Sequence, residues 1–203
     1  MKKLFTFLLC GVLAASILGG CGNEAEKPQK PQGEQENSNV IEESKEQKDN
    51  RGIKGSNYMQ LTTALEVGLE FPSNEPKDME EEGLKYIPMT EKEFDSGIKQ
   101  AYLVCFDTDN QIVEVDFMIA NMKQIDEGVF IDSAEIFFGL LANTSYEGSD
   151  AEAAEKWIEE NIANAENGIS TVIGDAKFTL EYSKTSAGTL GTIILIMEKE
   201  TDN

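Results

Sequence analysis

A long polar segment, residues 22–55, limits where this chain can build a folded core. Its only large apolar residues are Val40, Ile41 and Ile53, and it carries eight acidic and six basic side chains. Such a segment cannot bury enough apolar surface to offset the conformational entropy lost on folding. We therefore predict that this segment is a disordered tether and that the fold is confined to residues 56–203.

The first twenty residues have the features of an export signal. Lys2 and Lys3 form a positively charged start, and the apolar run that follows is too short to span a bilayer as a helix. The run ends in Leu18-Gly19-Gly20-Cys21. This motif resembles the lipobox of bacterial lipoproteins, in which an apolar residue and two small residues precede a cysteine.

The resemblance implies that the thiol of Cys21 receives a diacylglyceryl group and that a signal peptidase cleaves between Gly20 and Cys21. Residues 1–20 would then be the signal peptide, and residues 21–55 the lipidated cysteine and tether. Two or three acyl chains hold a protein stably on a bilayer without spanning it. We therefore expect a protein of the cell membrane, lipid-anchored at Cys21 on the extracytoplasmic face. The alternative is an ordinary secretory signal in which Cys21 is incidental.

The charge of the chain excludes several classes of chemistry. Its 203 residues include no histidine and one arginine, Arg51, and its formal net charge is −21. Without histidine there is no Ser-His-Asp triad, no Cys–His pair and no histidine-ligated metal. Because an acidic surface repels phosphate backbones, we expect no nucleic-acid partner. Residues 56–203 hold 30 acidic residues against nine lysines, which predicts either a solvated surface or attraction to a cation or a basic protein.

Hydrophobic periodicity predicts three helices and five strands after residue 56. The helices are 57–71, 132–142 and a third that Ser149 caps and Asn167-Gly168 ends. The strands are 102–106, 113–119, 169–173, 177–183 and 190–198. Strands in adjacent hairpins favour antiparallel pairing. We therefore predict an α+β fold: an antiparallel sheet of about five strands with three helices packed mainly on one face, in one monomeric domain.

Local patterns add detail to this outline. Residues 73–83 read as an acidic loop, whose clustered carboxylates are candidates for weak calcium binding. Thr90 begins a short helical turn. Trp157 lies on the buried stripe of the third helix, where its removal is expected to destabilise the core strongly.

The strand at residues 113–119 alternates in character. Val113 is the first of four apolar side chains that point to the core, and Glu114 and Asp116 point to the opposite face. The alternation is typical of a strand with one buried face.

Two short motifs match the first part of a known functional-site pattern but lack its remaining residues. Ser96-Gly97-Ile98-Lys99 matches the S-x-x-K pattern of penicillin-recognising serine enzymes, but their Ser-Asp-Asn and Lys-Thr-Gly elements are missing. We interpret it as a turn before a strand. Asp107-x-Asp109-x-Gln111 begins like a calcium loop, but Ile112 and Met118 stand where glycine and glutamate are required. We interpret this motif as a hairpin loop.

Cysteine use offers no nucleophile. If Cys10 leaves with the signal peptide and Cys21 is lipidated, Cys105 is the remaining free thiol and no intrachain disulfide forms. Cys105 lies in an apolar run, which predicts a buried and inert side chain.

The sequence therefore names no catalytic residue, no metal ligand and no cofactor. We interpret the chain as a membrane-tethered extracytoplasmic lipoprotein with a non-catalytic binding or accessory domain. The alternative is a carboxylate-based hydrolase acting on cell-wall polymers or glycans, which needs two converging carboxylates in a cleft with aromatic sugar platforms. A third hypothesis is a spacer or assembly component, for which an exposed apolar patch without a cleft is expected.

Overall fold

The computed structural model of the chain describes residues 51–184 and 191–200, which build one sheet and the helices that cover it. In chain order the helices are α1 (Tyr58–Gly68), α2 (Glu127–Ala142) and α3 (Ala151–Asn161), and a 3₁₀ turn, Ile162–Asn167, continues α3. The strands are β1 (Lys77–Asp78), β2 (Leu84–Glu93), β3 (Ile98–Asp107), β4 (Ile112–Asn121), β5 (Ile169–Ile173), β6 (Ala176–Lys184) and β7 (Gly191–Lys199).

The seven strands form one antiparallel sheet in the order β1-β2-β3-β4-β7-β6-β5. The chain runs from β1 to β4 as a meander, and α2 and α3 then carry it to the far edge, where β5 begins. β6 and β7 lead back, so that β7 pairs with β4 in the middle of the sheet. Apolar side chains that face each other across this pairing, such as Phe117 opposite Leu195, join the two halves of the fold.

The main core lies between one face of the sheet and the helices. Phe137 of α2 stands at its centre, with its ring centroid 4.5 Å from that of Phe117 on β4. On its other side Phe71, which follows α1, stacks at 5.9 Å. Tyr58 at the start of α1 stacks on Phe106 of β3 at 3.6 Å. The helices therefore attach to the sheet through a chain of aromatic contacts.

The predicted class is confirmed at the level of an α+β fold with an antiparallel sheet and three α-helices in the described residues. The predicted number of about five strands is wrong, because β1 and β2 were missed. β1 has only two residues, and the alternation of β2 is interrupted by Pro88 and by a register shift between Ile87 and Thr90. The helical turn predicted at Thr90 is accordingly wrong, since Thr90 belongs to β2.

The helix starts are partly confirmed. Asn57, the first residue of the predicted helix, is the cap of α1, and its side chain accepts a hydrogen bond from the backbone N–H of Met59. The cap of α3 is Asp150 rather than Ser149, because the Asp150 carboxylate accepts from the N–H of Ala153. The second helix begins at Glu127, five residues before the predicted start at 132, and Asp126 caps it.

The predicted positions of two apolar residues near β4, Val113 and Ile53, are wrong. Val113 does not point to the core, because a bulge after Cys105 places Ile112 opposite Phe106 and leaves Val113 as the extra residue. Ile53, assigned to the tether from sequence, is fully buried, and its N–H donates to the carbonyl of Ile112 at 2.7 Å. One apolar residue in a polar segment has no periodicity that would reveal such packing.

Trp157 is only half-buried, although the prediction placed it on the buried stripe of α3. The buried side chains of α3 are Ala154 and Ile158, and Trp157 packs against the edge of the core. The buried stripe of α3 is therefore narrower than the apolar residues in its sequence suggest.

Candidate functional site

The predicted lipidation and cleavage residues, Cys21 and Gly20, lie outside the described residues, so the anchor remains a prediction. The S-x-x-K motif forms a turn between β2 and β3, as predicted, with Gly97 at a φ of 93°. The ammonium group of Lys99 is 2.6 Å from the Glu91 carboxylate across the two strands. Lys99 therefore serves a cross-strand ion pair in this arrangement.

The calcium-like motif is the hairpin loop between β3 and β4, as predicted. One carboxylate oxygen of Asp107, Oδ1, accepts the backbone N–H groups of Asp109 and Gln111, both at 2.9 Å. This pattern fixes the turn from within. In residues 51–184 and 191–200 no group of three or more Asp, Glu, Cys or His side chains is arranged to hold a metal ion.

The acidic loop before β2 is tied to the domain by the chain's single arginine. Arg51 donates to the Glu81 carboxylate at 2.8 Å and to the carbonyl of Glu82 at 2.9 Å. The loop also covers Cys105, whose Sγ lies 3.3 Å from the sulfur of Met79. Burial, followed by the charge of nearby Glu114, raises the pKa of Cys105 to about 12. The thiol is buried and protonated, as the sequence predicts.

The outer surface of the helix layer carries exposed apolar side chains. Ile136 on α2 is 74% exposed and Val67 on α1 is 80% exposed. Residues four and seven apart share one side of a helix, so Val129, Ile136 and Leu140 form a ridge along α2. We call this region the helix-layer surface. Its apolar members are Met59, Val67, Val129, Ile136 and Leu140.

Two grooves flank this ridge, and Leu140 lines both of them. The groove between α2 and α3 has a volume of about 490 Å³ and is rimmed by Glu135, Glu155 and Glu159. Burial and the neighbouring charges of Asp132 and Glu159 raise the pKa of Glu135. The groove between α1 and α2 has a volume of about 790 Å³ and is mostly apolar. The helix-layer surface thus combines an apolar ridge with an acidic rim.

The opposite face of the sheet carries a second unusual group. Glu114 and Asp116 point away from the main core, as the alternation along β4 predicts, and Glu198 of β7 lies directly opposite Glu114. Four acidic residues lie close together on this face. They are Glu114, Asp116, Glu181 and Glu198. Lys177 pairs with Glu198 at 2.7 Å.

Asp116 occupies the centre of this face and is only 7% exposed. Its neighbours across the strands are Leu103 on β3 and Ile196 on β7. Burial, followed by the charges of Glu198 and Glu181, raises the pKa of Asp116 to about 7. Burial, with Asp116 and Glu198 nearby, also raises the pKa of Glu114 to about 8.

The sequence predicted part of this arrangement of acidic residues. Alternation placed Glu114 and Asp116 side by side on one face, but nothing in the sequence showed that Glu198 and Glu181 join them. That required the pairing of β7 with β4 and β6, which brings together residues far apart in the chain. The helix-layer surface was missed because Ile136 lies in a run of apolar residues that predicts burial on most sides.

Replacing Asp116 with asparagine should stabilise the fold at alkaline pH. The pKa of this carboxyl is about 7 in the native state, against an ordinary value of 3.8 for aspartate, so the native state binds more protons than the unfolded chain between these pH values. The free energy of unfolding therefore falls as pH rises through this window. At 1.36 kcal/mol per pKa unit, we expect Asp116→Asn to raise it by about 2–4 kcal/mol at pH 8 and by little at pH 3.5.

Urea denaturation at the two pH values measures this difference. The matched control is Asp109→Asn, which removes the same charge from an exposed turn and should change stability little at either pH. Equal effects of Asp116→Asn at both pH values would contradict a desolvated carboxylate.

Comparison with protein families, with curated protein sequences and with solved structures gives no match to this chain. Within the described part of the chain no helix is both long and apolar enough to cross a bilayer. The functional assignment therefore depends on the surfaces described above.

Proposed function

We propose that the chain is a lipid-anchored extracytoplasmic binding protein, whose folded domain docks a partner protein on the helix-layer surface. The observation that carries the proposal is the apolar ridge of α2 lying between two grooves. Large apolar side chains in one exposed patch commonly mark interaction sites on soluble domains. The lipobox resemblance at Cys21 and the polar segment that follows supply the expected membrane tether.

The shape and charge of this surface favour a basic amphipathic helix as the occupant. A helix that lays its apolar face into a groove between helices is a recurrent mode of recognition. The rim residues Glu135, Glu155 and Glu159 are acidic, and no lysine or arginine is among the described residues that line the α2–α3 groove. A partner helix with lysine or arginine beside its apolar stripe would complement both features.

The arrangement of acids supports binding in preference to hydrolysis. A glycosidase needs two carboxylates that converge across a sugar-binding cleft. Glu114 and Asp116, whose pKa values are raised, are two residues apart on one strand and stand side by side on a sheet face. The α2–α3 groove carries Glu135, Glu155 and Glu159, but no aromatic residue that could serve as a sugar platform is among the described residues that line it.

A designed probe tests the docking surface. We use a fluorescent 14-residue leucine–lysine peptide that forms an amphipathic helix, and measure its anisotropy on titration with the full chain. We expect Ile136→Ser to weaken binding by at least about tenfold, because one buried isoleucine contributes about 1.5–3 kcal/mol at a packed interface. Val172→Ser, which alters a residue 51% exposed on the edge strand β5, is the matched control and should leave affinity within twofold.

Two outcomes would overturn the proposal. One is equal binding of the Ile136→Ser and unmodified chains. The other is equal affinity for a leucine–glutamate peptide of the same length, which would show that the acidic rim plays no part. Because Ile136 is exposed, its replacement should leave the melting temperature unchanged, so a loss of binding cannot be ascribed to unfolding.

A further inference from the structure

Gly139 lies in the interior of α2, where glycine is unfavourable. A glycine inside a helix costs about 1 kcal/mol relative to alanine. Its φ is not positive, so the backbone does not require glycine. A Cβ atom at this position would meet only the Glu155 carboxylate, at 4.0 Å, which is ordinary van der Waals contact. The packing of the described residues therefore leaves open space at Gly139, and gives no reason for a glycine there.

The apolar ridge of α2 is lowest at this glycine. Ile136, three residues earlier, is 74% exposed, whereas Leu140, the next residue, is half-buried. Leu140 lines both grooves, and Gly139 lines the α2–α3 groove beside it. We call Gly139 and Leu140 the saddle of the ridge. Because a helix without a side chain lets another backbone approach closely, the saddle is the place where a partner helix can cross α2 and reach both grooves.

The α1–α2 groove is suited to an apolar side chain. No charged residue is among the described residues that line it. Two of its lining residues on α1 are the small residues Ala64 and Gly68, and a Cβ atom at Gly68 would meet nothing within 4 Å. The exposed side chains of Met59 and Val67 stand beside them. This groove therefore has room for a large apolar residue and offers no group that would pair with a charge.

The α2–α3 groove has acidic side chains on both walls. Glu135 on α2 and Glu159 on α3 line it, and within residues 51–184 and 191–200 neither forms an ion pair with a lysine or arginine. Glu155 differs, because the amide of Asn143 donates a hydrogen bond to its carboxylate. A guanidinium group is weakly hydrated and has five donors in a planar fork, so it can bind two carboxylates at once. The two glutamates therefore fit an arginine better than the strongly hydrated ammonium of a lysine.

We propose that the partner helix crosses α2 at the saddle, with a large apolar side chain in the α1–α2 groove and an arginine between Glu135 and Glu159. This arrangement, which rests on the docking function proposed above, gives the partner two anchors of different chemistry. Grooves on the two sides of a helix are about 10 Å apart, and seven residues of a helix rise about 10.5 Å. The two anchors are therefore seven residues apart on one face of the partner helix, with a small residue between them over Gly139.

Fluorescence anisotropy of helical peptides titrated with the full chain tests this arrangement. The probe is an alanine-based helix that carries one leucine and one arginine seven residues apart. The comparison peptide has the same composition with the two residues five apart, on different sides of its helix. We expect the probe to bind at least about tenfold more tightly, because the comparison peptide cannot place both anchors at once.

Two variants fill the space that the partner is expected to occupy. Gly139→Leu places a side chain on the saddle and should weaken binding of the probe by at least about tenfold. Its melting temperature should not fall, since leucine is a better helix former than glycine and the Cβ position is open. Ala64→Gln, at an exposed position of α1, narrows the α1–α2 groove and should also weaken binding.

Matched charge variants separate the arginine site from general charge attraction. Glu159→Gln should weaken binding of the probe by about tenfold, because the guanidinium group loses one of its two carboxylates. Glu160→Gln removes the same charge from the next residue of α3, where Glu160 does not line the groove and lies 3.9 Å from Lys156. It should leave the affinity within twofold of that of the unmodified chain.

Any of three results would overturn the two-anchor arrangement. They are equal binding of the two peptides, unchanged binding to Gly139→Leu or Ala64→Gln, and equal effects of Glu159→Gln and Glu160→Gln. Failure of docking itself is measured separately with the leucine–lysine peptide. If Ile136→Ser weakens binding of that peptide while any of these three results is found, docking on the helix-layer surface stands and the crossing at Gly139 with its two anchors is wrong.

Discussion

Replacing Phe137 with alanine should lower the free energy of unfolding by about 3–5 kcal/mol, the range for a large aromatic removed from a packed core. Phe137 is fully buried and stacks between Phe117 of β4 and Phe71 beside α1. Its loss leaves a cavity where α2 meets the sheet. Urea denaturation followed by circular dichroism measures the change.

The half-buried Trp157 provides a comparison for the stability loss expected from Phe137→Ala. It is a larger side chain than Phe137, but it packs at the edge of the core, so Trp157→Ala should cost clearly less than Phe137→Ala. A larger loss for Trp157→Ala would mean that α3 packs through the apolar stripe inferred from sequence, and not through Ala154 and Ile158 alone.

Replacing Cys21 with serine should abolish stable attachment to the membrane. Serine has no thiol to receive the diacylglyceryl group, and each acyl CH₂ that is not buried in the bilayer forfeits about 0.8 kcal/mol. We expect the altered protein in the medium, or retained as an unprocessed precursor. Fractionation with immunoblotting measures the distribution, and the size of the band reports whether residues 1–20 have been removed.

The two other cysteines supply controls for this change. Cys10→Ser lies in the expected signal peptide and Cys105→Ser in the core, and both should leave the protein on the membrane. A Cys21→Ser protein that is fully processed and still membrane-bound would contradict the lipoprotein interpretation.

The elements that sequence predicted best are those whose pattern is local. The alternation of Glu114 and Asp116 with Val115 and Phe117 assigned the faces of β4 correctly, and Asn57 marked the start of α1. Strand β2 was missed because its register shift and Pro88 interrupt the period on which such a prediction depends.

The candidate sites depend on long-range pairing, which local patterns do not contain. Asp116 becomes buried, with Oδ1 lacking a hydrogen-bond partner among the described residues, only when β7 brings Ile196 opposite it. Ile136 becomes a surface residue only when α2 turns its Phe137 face to the sheet. Composition suggested attraction to a cationic or basic partner, and the acidic rim of the α2–α3 groove is a specific place to test it.

The most direct test of the binding-protein account is site-specific photo-crosslinking in intact cells that make the anchored chain. A photoreactive amino acid at position 136 reports on the helix-layer surface, and one at position 172 reports on the edge of the sheet. The account predicts a discrete adduct from position 136, mapped to a basic amphipathic helix of a partner protein, and no such adduct from position 172. Adducts that are the same from both positions, or that join position 136 only to a second copy of the chain, would contradict it.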